Sequence, residues 1–213
     1  MEYPEKIHNE GKDTLPMKEI YTRIWEAAKP HYLKGRPMDV DHIEWMMEEA
    51  TRISEVEHLD ETVLLPLAIL HDIGYAKVPS IESTDYNTLD IRKLHMEEGA
   101  KLAKTILETL DYPQEKIEKI VSYVAMHDQW AYGEVDAYIN DPILGTFKDL
   151  DYLWIYAPKG REAFQKLKNF SNEQMLKHLQ DETSPIFNKK PFSNDSTKRM
   201  HDELLDARTQ ELS

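Results

Sequence analysis

The chain has no cysteine, and only 7 of its 213 residues are glycine. Without cysteine there are no disulfides, thiolate metal sites or cysteine nucleophiles, so any metal must be held by His, Asp or Glu. Long apolar runs are also missing. The longest, Val63 to Leu70, is eight residues and contains a proline, whereas a membrane crossing needs about 20. Met1-Glu2-Tyr3-Pro4-Glu5 has neither the basic start nor the apolar middle of a secretory signal, so the expectation is a cytoplasmic protein with no membrane partner. Positive charge is scarce: Lys and Arg number 26 against 40 Asp and Glu, a net charge of −14. Duplex nucleic acid draws most of its binding energy from Lys and Arg set against phosphates, so it is not an expected partner. A small phosphorylated molecule is compatible with that charge, because divalent cations in a pocket reverse the local field. The oligomeric state is left open, a homo-oligomer included.

Few glycines, scarce β-branched runs and apolar residues returning every three or four positions predict an all-α protein, a compact helical bundle. Asp39 or Asp41 is expected to cap a helix running to about Leu59, with His42 at the edge of its apolar stripe. Asp60 caps the next, whose Val63 to His71 is apolar on every side, as in a helix at the centre of a domain; Gly74 is expected to end it. Residues 79 to 88 read as a surface loop able to cover a pocket mouth. A long helix follows from Leu89 to Leu110. Pro113 opens another toward His127, and Pro142 opens one that stops before Pro158. From Lys159 the composition turns more polar, with Pro185 and Pro191 interrupting it. The expected division is therefore a helical domain over 20–158 and a helical C-terminal extension over 159–213, packed on it or partly loose.

Among 9 histidines, the pair His-Asp occurs at His71-Asp72, His127-Asp128 and His201-Asp202, and only the first ends a buried helix. Steps of 100° per residue put His95 near the centre of the stripe formed by Ile91, Leu102, Ile106 and Leu110. The same arithmetic turns Asp151 inward with Leu144, Phe147 and Ile155 and sends Asp149 outward. It leaves His42 and His127 half-buried at stripe edges. One histidine on an apolar face is usually a hydrogen-bonded core residue, and one inward aspartate usually pairs with an arginine. Four histidines and two aspartates, all inward or edge-facing on successive helices, are harder to reconcile with that, because a bare buried carboxylate costs several kcal/mol unless a cation or strong donors meet it. His8, His31, His58, His178 and His201 read as surface or structural.

The order His42, His71-Asp72, Asp151 resembles the HD superfamily of metal-dependent phosphohydrolases. Leu67-Ala68-Ile69-Leu70-His71-Asp72-Ile73-Gly74 is similar to that family's apolar run into His-Asp-Ile-Gly, and Lys148-Asp149-Leu150-Asp151-Tyr152-Leu153 to its closing element. His95-Met96-Glu97-Glu98-Gly99-Ala100 and Met126-His127 resemble members that keep two further histidines and bind two metals. The chain departs from the family at Leu150, at Pro66 and in the displaced lysine Lys77. The resemblance implies an HD-domain-like bundle in which His42, His71, Asp72 and Asp151 bind one metal, while His95 and His127 hold a second that Asp72 bridges. Asp72, His95 and His127 are then the catalytic candidates, with one or two divalent ions (Mn, Fe, Mg, Co, Ni or Zn) as cofactor. The implied reaction is hydrolysis of a small phosphate ester, nucleotides included. A di-iron oxygenase of the same superfamily and a non-catalytic metal-binding regulatory module are the alternatives. Lys77, Arg52 and Arg92 are candidate phosphate contacts by proximity to the motifs, and Asp128 a candidate for orienting a histidine.

Overall fold

The computed structural model describes residues 18–79, 88–132, 136–181 and 192–213. Most of the expected loop over residues 79 to 88 and all of His8 lie outside that range. Among the described residues there is no strand, and no helix is long and apolar enough to cross a membrane. The helices are α1 (Glu19–Gly35), α2 (Asp39–Val56), α3 (Glu61–Leu70), α4 (Leu89–Thr109), α5 (Gln114–Val124), α6 (Asp136–Asn140), α7 (Pro142–Leu153), α8 (Pro158–Lys168), α9 (Asn172–Leu179) and α10 (Asp195–Leu212). Short 3₁₀ turns lie at Ile73–Lys77, Gln129–Tyr132 and Trp154–Tyr156.

Helix α3 is the axis of the fold, packed against α1, α2, α5 and α7, with every residue from Val63 to Leu70 buried. It has no polar stripe, so it cannot lie at a surface. Asp60 caps it, accepting from Thr62 N at 3.1 Å. Pro66 sits inside it and offers no N–H to the carbonyl four residues back, which the hydroxyl of Tyr112 takes instead, bonding Thr62 O at 2.8 Å. At the other end Tyr32 Oη donates to Ile69 O at 2.8 Å, serving a carbonyl in the last turn.

The helix stops at Leu70, earlier than Gly74. Gly74 instead belongs to the 3₁₀ turn Ile73–Lys77, and its role is close approach: a Cβ there would stand 1.8 Å from His95 O. The turn after His71-Asp72 therefore lies directly on α4 at His95. Neither Asp39 nor Asp41 caps α2, whose N-cap is Met38; Arg36 holds the Asp39 carboxylate at 3.0 Å. Helix α2 ends at Val56.

Pro142 does open α7, with Asp141 capping it through bonds from Ile143 N at 2.9 Å and Leu144 N at 3.0 Å. Asp149 lies on the far side of α7 from the other candidates, yet it is not at the surface: it is 1% exposed. Its Oδ2 accepts from Ser193 N at 2.6 Å and Thr197 Oγ1 at 2.8 Å, and Lys148 Nζ lies 2.8 Å from Oδ1. The start of α10 covers this side. Periodicity within α7 cannot register a helix arriving from later in the chain.

Candidate metal centre

His71 and Asp72 follow the last turn of α3, His42 comes from the first turns of α2, His95 from α4, His127 from the segment after α5, and Asp151 from the last turn of α7. Six residues from five places along the chain meet as two groups, His42–His71–Asp151 and Asp72–His95–His127. Within each, one ligand atom per residue lies within 4.8 Å of the others. Asp72 joins the groups. Its Oδ2 is 3.6 Å from His71 Nε2, and its Oδ1 is 3.2 Å from His127 Nε2 and 3.4 Å from His95 Nε2. Asp151 Oδ1 closes the first group, 3.3 Å from His42 Nε2 and 3.8 Å from His71 Nε2.

The rings are aimed by the backbone. Nδ1 of His71, His95 and His127 lies 3.0, 3.2 and 2.9 Å from the carbonyls of Ala68, Ile91 and Val124. With Nδ1–H donating outward, Nε2 carries the lone pair that faces the centre. Packing fixes the planes: Trp154 stacks on His42 at 5.2 Å and Tyr75 on His95 at 4.2 Å. His42 and His127 are buried rather than half-buried, at 6% and 2% exposed, because Trp154 stacks on one and the rings of His71, His95 and Phe147 pack on the other.

Burial, then the neighbouring His71, pushes the His42 imidazole down to about 3, and burial brings His71 to about 4. Both are neutral at physiological pH, the form that binds a metal. Burial works against the Asp72 carboxylate, but His71, the bonds with His127 and His95, and Arg36 outweigh it and hold Asp72 well below the usual range. Burial and then the charge of Asp72 push Asp151 up to about 7. His127 moves upward: burial opposes, and Asp72 overcomes it.

These residues fit a cation on their own showing. His42 Nε2, His71 Nε2 and Asp39 Oδ2 are buried with no hydrogen-bond partner among the described residues, a costly arrangement unless something else meets their lone pairs. His95 Nε2 and His127 Nε2 face each other at 3.2 Å, two lone pairs that need a proton or a metal between them.

A cavity of about 360 Å³ opens above the centre, lined by His42, Asp72, His127, Asp151, Arg36, Asp39, Tyr75, Arg92, Asp128 and an aromatic outer wall. Arg92 pairs with Asp128. The structure puts neither Lys77 nor Arg52 on this cavity. Lys77 is exposed, and Arg52 is bound to Glu49 at 2.6 Å, its i,i+3 neighbour on the outer face of α2. Sequence reasoning missed Arg36, Asp39 and Tyr75. Asp39 had a usable signal, since it stands one turn ahead of His42; Arg36 and Tyr75 had none, being brought in by a loop and a 3₁₀ turn. The third His-Asp pair, His201-Asp202, is on α10, and neither residue lines the cavity.

A family model described as HD domain matches residues 39–180, more than half of the chain and the whole span from His42 to Asp151. No curated protein and no solved structure shows a significant match.

Proposed function

Because this chain belongs to the HD domain family, we propose that it is a cytoplasmic metal-dependent phosphohydrolase that cleaves a small phosphate ester, nucleotides included. The observation that carries this reading is the attitude of Asp72, whose two oxygens face two different groups of nitrogen ligands. His42, His71, Asp72 and Asp151 would hold one divalent ion, and Asp72, His95 and His127 a second. Bound there, Mn²⁺, Fe²⁺, Mg²⁺, Co²⁺, Ni²⁺ or Zn²⁺ supplies Lewis acidity that makes water nucleophilic at neutral pH and neutralises phosphoryl oxygens.

The chain's own residues do the rest. The carbonyls of Ala68, Ile91 and Val124 keep three imidazoles in one tautomer. Arg36 and Arg92 flank the cavity, each held by a carboxylate, Asp39 or Asp128, and present fixed guanidinium groups to a phosphate. Trp154 over His42 keeps bulk water from one side of the centre.

The test is release of inorganic phosphate from a panel of phosphate esters with each metal in turn, beside elemental analysis of untreated protein. Release that depends on added metal and stops with a chelator is the expected result. Oxygen consumption by iron-loaded protein, with no phosphate released, would transfer the same ligand set to the di-iron oxidative reading.

A further inference from the structure

The cavity is two-ended, and apart from Trp154, which shields His42, its outer half has no part in the hydrolytic reading. Arg36, Arg92 and the His/Asp groups occupy the inner end. The outer wall is built from the end of α7, the 3₁₀ turn after it, α8 and the residue ahead of α2, through Met38, Tyr152, Trp154, Phe164 and Leu167. None of these is charged. The wall is braced: a Cβ on Gly160 would lie 1.9 Å from Trp154 O, so α8 rests on the backbone that carries Trp154. That ring has His42 on one side and Trp45 on another, at 5.2 and 5.7 Å. The Tyr152 hydroxyl is held by Tyr156 at 2.6 Å.

Met38 and Leu167 are 57% and 56% exposed, although large apolar side chains gain by burial. Both stand on this one cavity, and they come from distant parts of the chain. Exposed apolar groups gathered at the rim of a concave site mark where a ligand covers them. At about 360 Å³ the cavity lies in the range, roughly 300–1,000 Å³, of sites that enclose an organic ligand rather than a bare ion.

We infer that the α8 wall, with Met38, is a specificity element selecting phosphate esters whose organic body is planar and apolar on its faces, and rejecting polyhydroxylated bodies. The inference rests on the phosphohydrolase reading. A flat ring gains area against Trp154 and Phe164, whereas a body carrying several hydroxyls gives up more water on this wall than the one Tyr152 hydroxyl, already held by Tyr156, can replace.

The experiment uses the full chain with Mn²⁺ and compares benzyl phosphate with glycerol 1-phosphate, both alkyl esters, so that the leaving groups are alike. The expected KM is roughly tenfold lower for benzyl phosphate, and the double variant Met38→Ser/Leu167→Ser, which leaves Trp154 and Phe164 in place, narrows the ratio of the two KM values about threefold through KM rather than kcat. Both positions are exposed, so the variant folds. Ile139→Ser, which removes an equally exposed side chain (61%) away from the cavity, leaves the ratio as it was. Equal KM values in the unaltered protein, or a double variant that shifts both esters alike, would overturn the inference. If neither ester is hydrolysed with any metal, the hydrolase reading falls and the wall is read separately by quenching of tryptophan fluorescence with benzylphosphonate. Quenching that needs more benzylphosphonate in the double variant supports the wall, and no quenching in the unaltered protein, or an unchanged titration in the variant, refutes it.

Discussion

Asp149 and Asp151 stand two residues apart on α7, the first buried and the second half-buried on the cavity wall, in opposite electrostatic circumstances. Around Asp149 every partner is a donor: Ser193 N, Thr197 Oγ1 and Lys148 Nζ. Around Asp151 the nearest groups are the Nε2 atoms of two histidines that burial keeps neutral, and the charge of Asp72 opposes its own. One side of the helix is a completed polar network, and the other is a set of lone pairs facing one another. Folding alone explains the first side. The second costs free energy in the metal-free chain and becomes sensible when a cation joins it, which is the mark of a site kept for binding rather than for stability.

The comparison can be broken at several places. The largest effect belongs to Asp149→Ala, which strands the buried Lys148 charge and frees the start of α10. We expect a loss of about 3–5 kcal/mol in urea unfolding, and a loss below 1 kcal/mol would contradict the structural role. Asp151→Asn should act the other way round. Its affinity for Mn²⁺, measured by calorimetry, falls about 100-fold or more, while the Tm of the metal-free protein holds or rises because the raised carboxyl is removed. In the unaltered protein, stripping metal from a site held at 100 times its Kd should lower stability by about 2.7 kcal/mol. The same chelation should move Asp151→Asn far less.

Asp141, the cap of α7, gives a smaller and pH-dependent effect. Burial opposes its charge, but the Tyr123 hydroxyl and the amides of Leu144 and Ile143 together hold its carboxyl below the ordinary 3.8. A lowered carboxyl stabilises fully above the unfolded value and loses that contribution as pH falls through the folded one. Asp141→Ala should therefore cost about 1–2 kcal/mol at pH 7, with the gap to the unaltered protein narrowing below pH 3.8. Smallest of all is Arg52→Ala, whose surface pair with Glu49 contributes within about 0.5 kcal/mol. Phosphate release should change less than twofold, since Arg52 does not line the cavity; a large KM increase would return Arg52 to the substrate.

The helical class, the central place of α3, the proline-opened α5 and α7 and the cap at Asp60 follow from local chemistry, and each is present. Angular position also separated Asp151 from Asp149 on one helix, while the grouping of the six ligand candidates was implied by the family resemblance and not by any one helix. It failed wherever one element covers another. Asp149 points away from the centre as the angles require, yet α10 buries it. Asp39 does not cap α2, because Arg36 reaches back from the preceding loop. Gly74 ends no helix and instead makes room for the carbonyl of His95.

By itself the sequence determined which residues share a helix face and what chemistry they carry, since 3.6-residue periodicity and side-chain type are properties of a short stretch of chain. Only the tertiary structure decided which faces meet. It set Asp72 between two groups of imidazoles, put Arg36 and Arg92 on the cavity while leaving Lys77 and Arg52 off it, and built an apolar wall from α8. Distances between helices depend on packing among residues far apart in the chain, and no local pattern contains them.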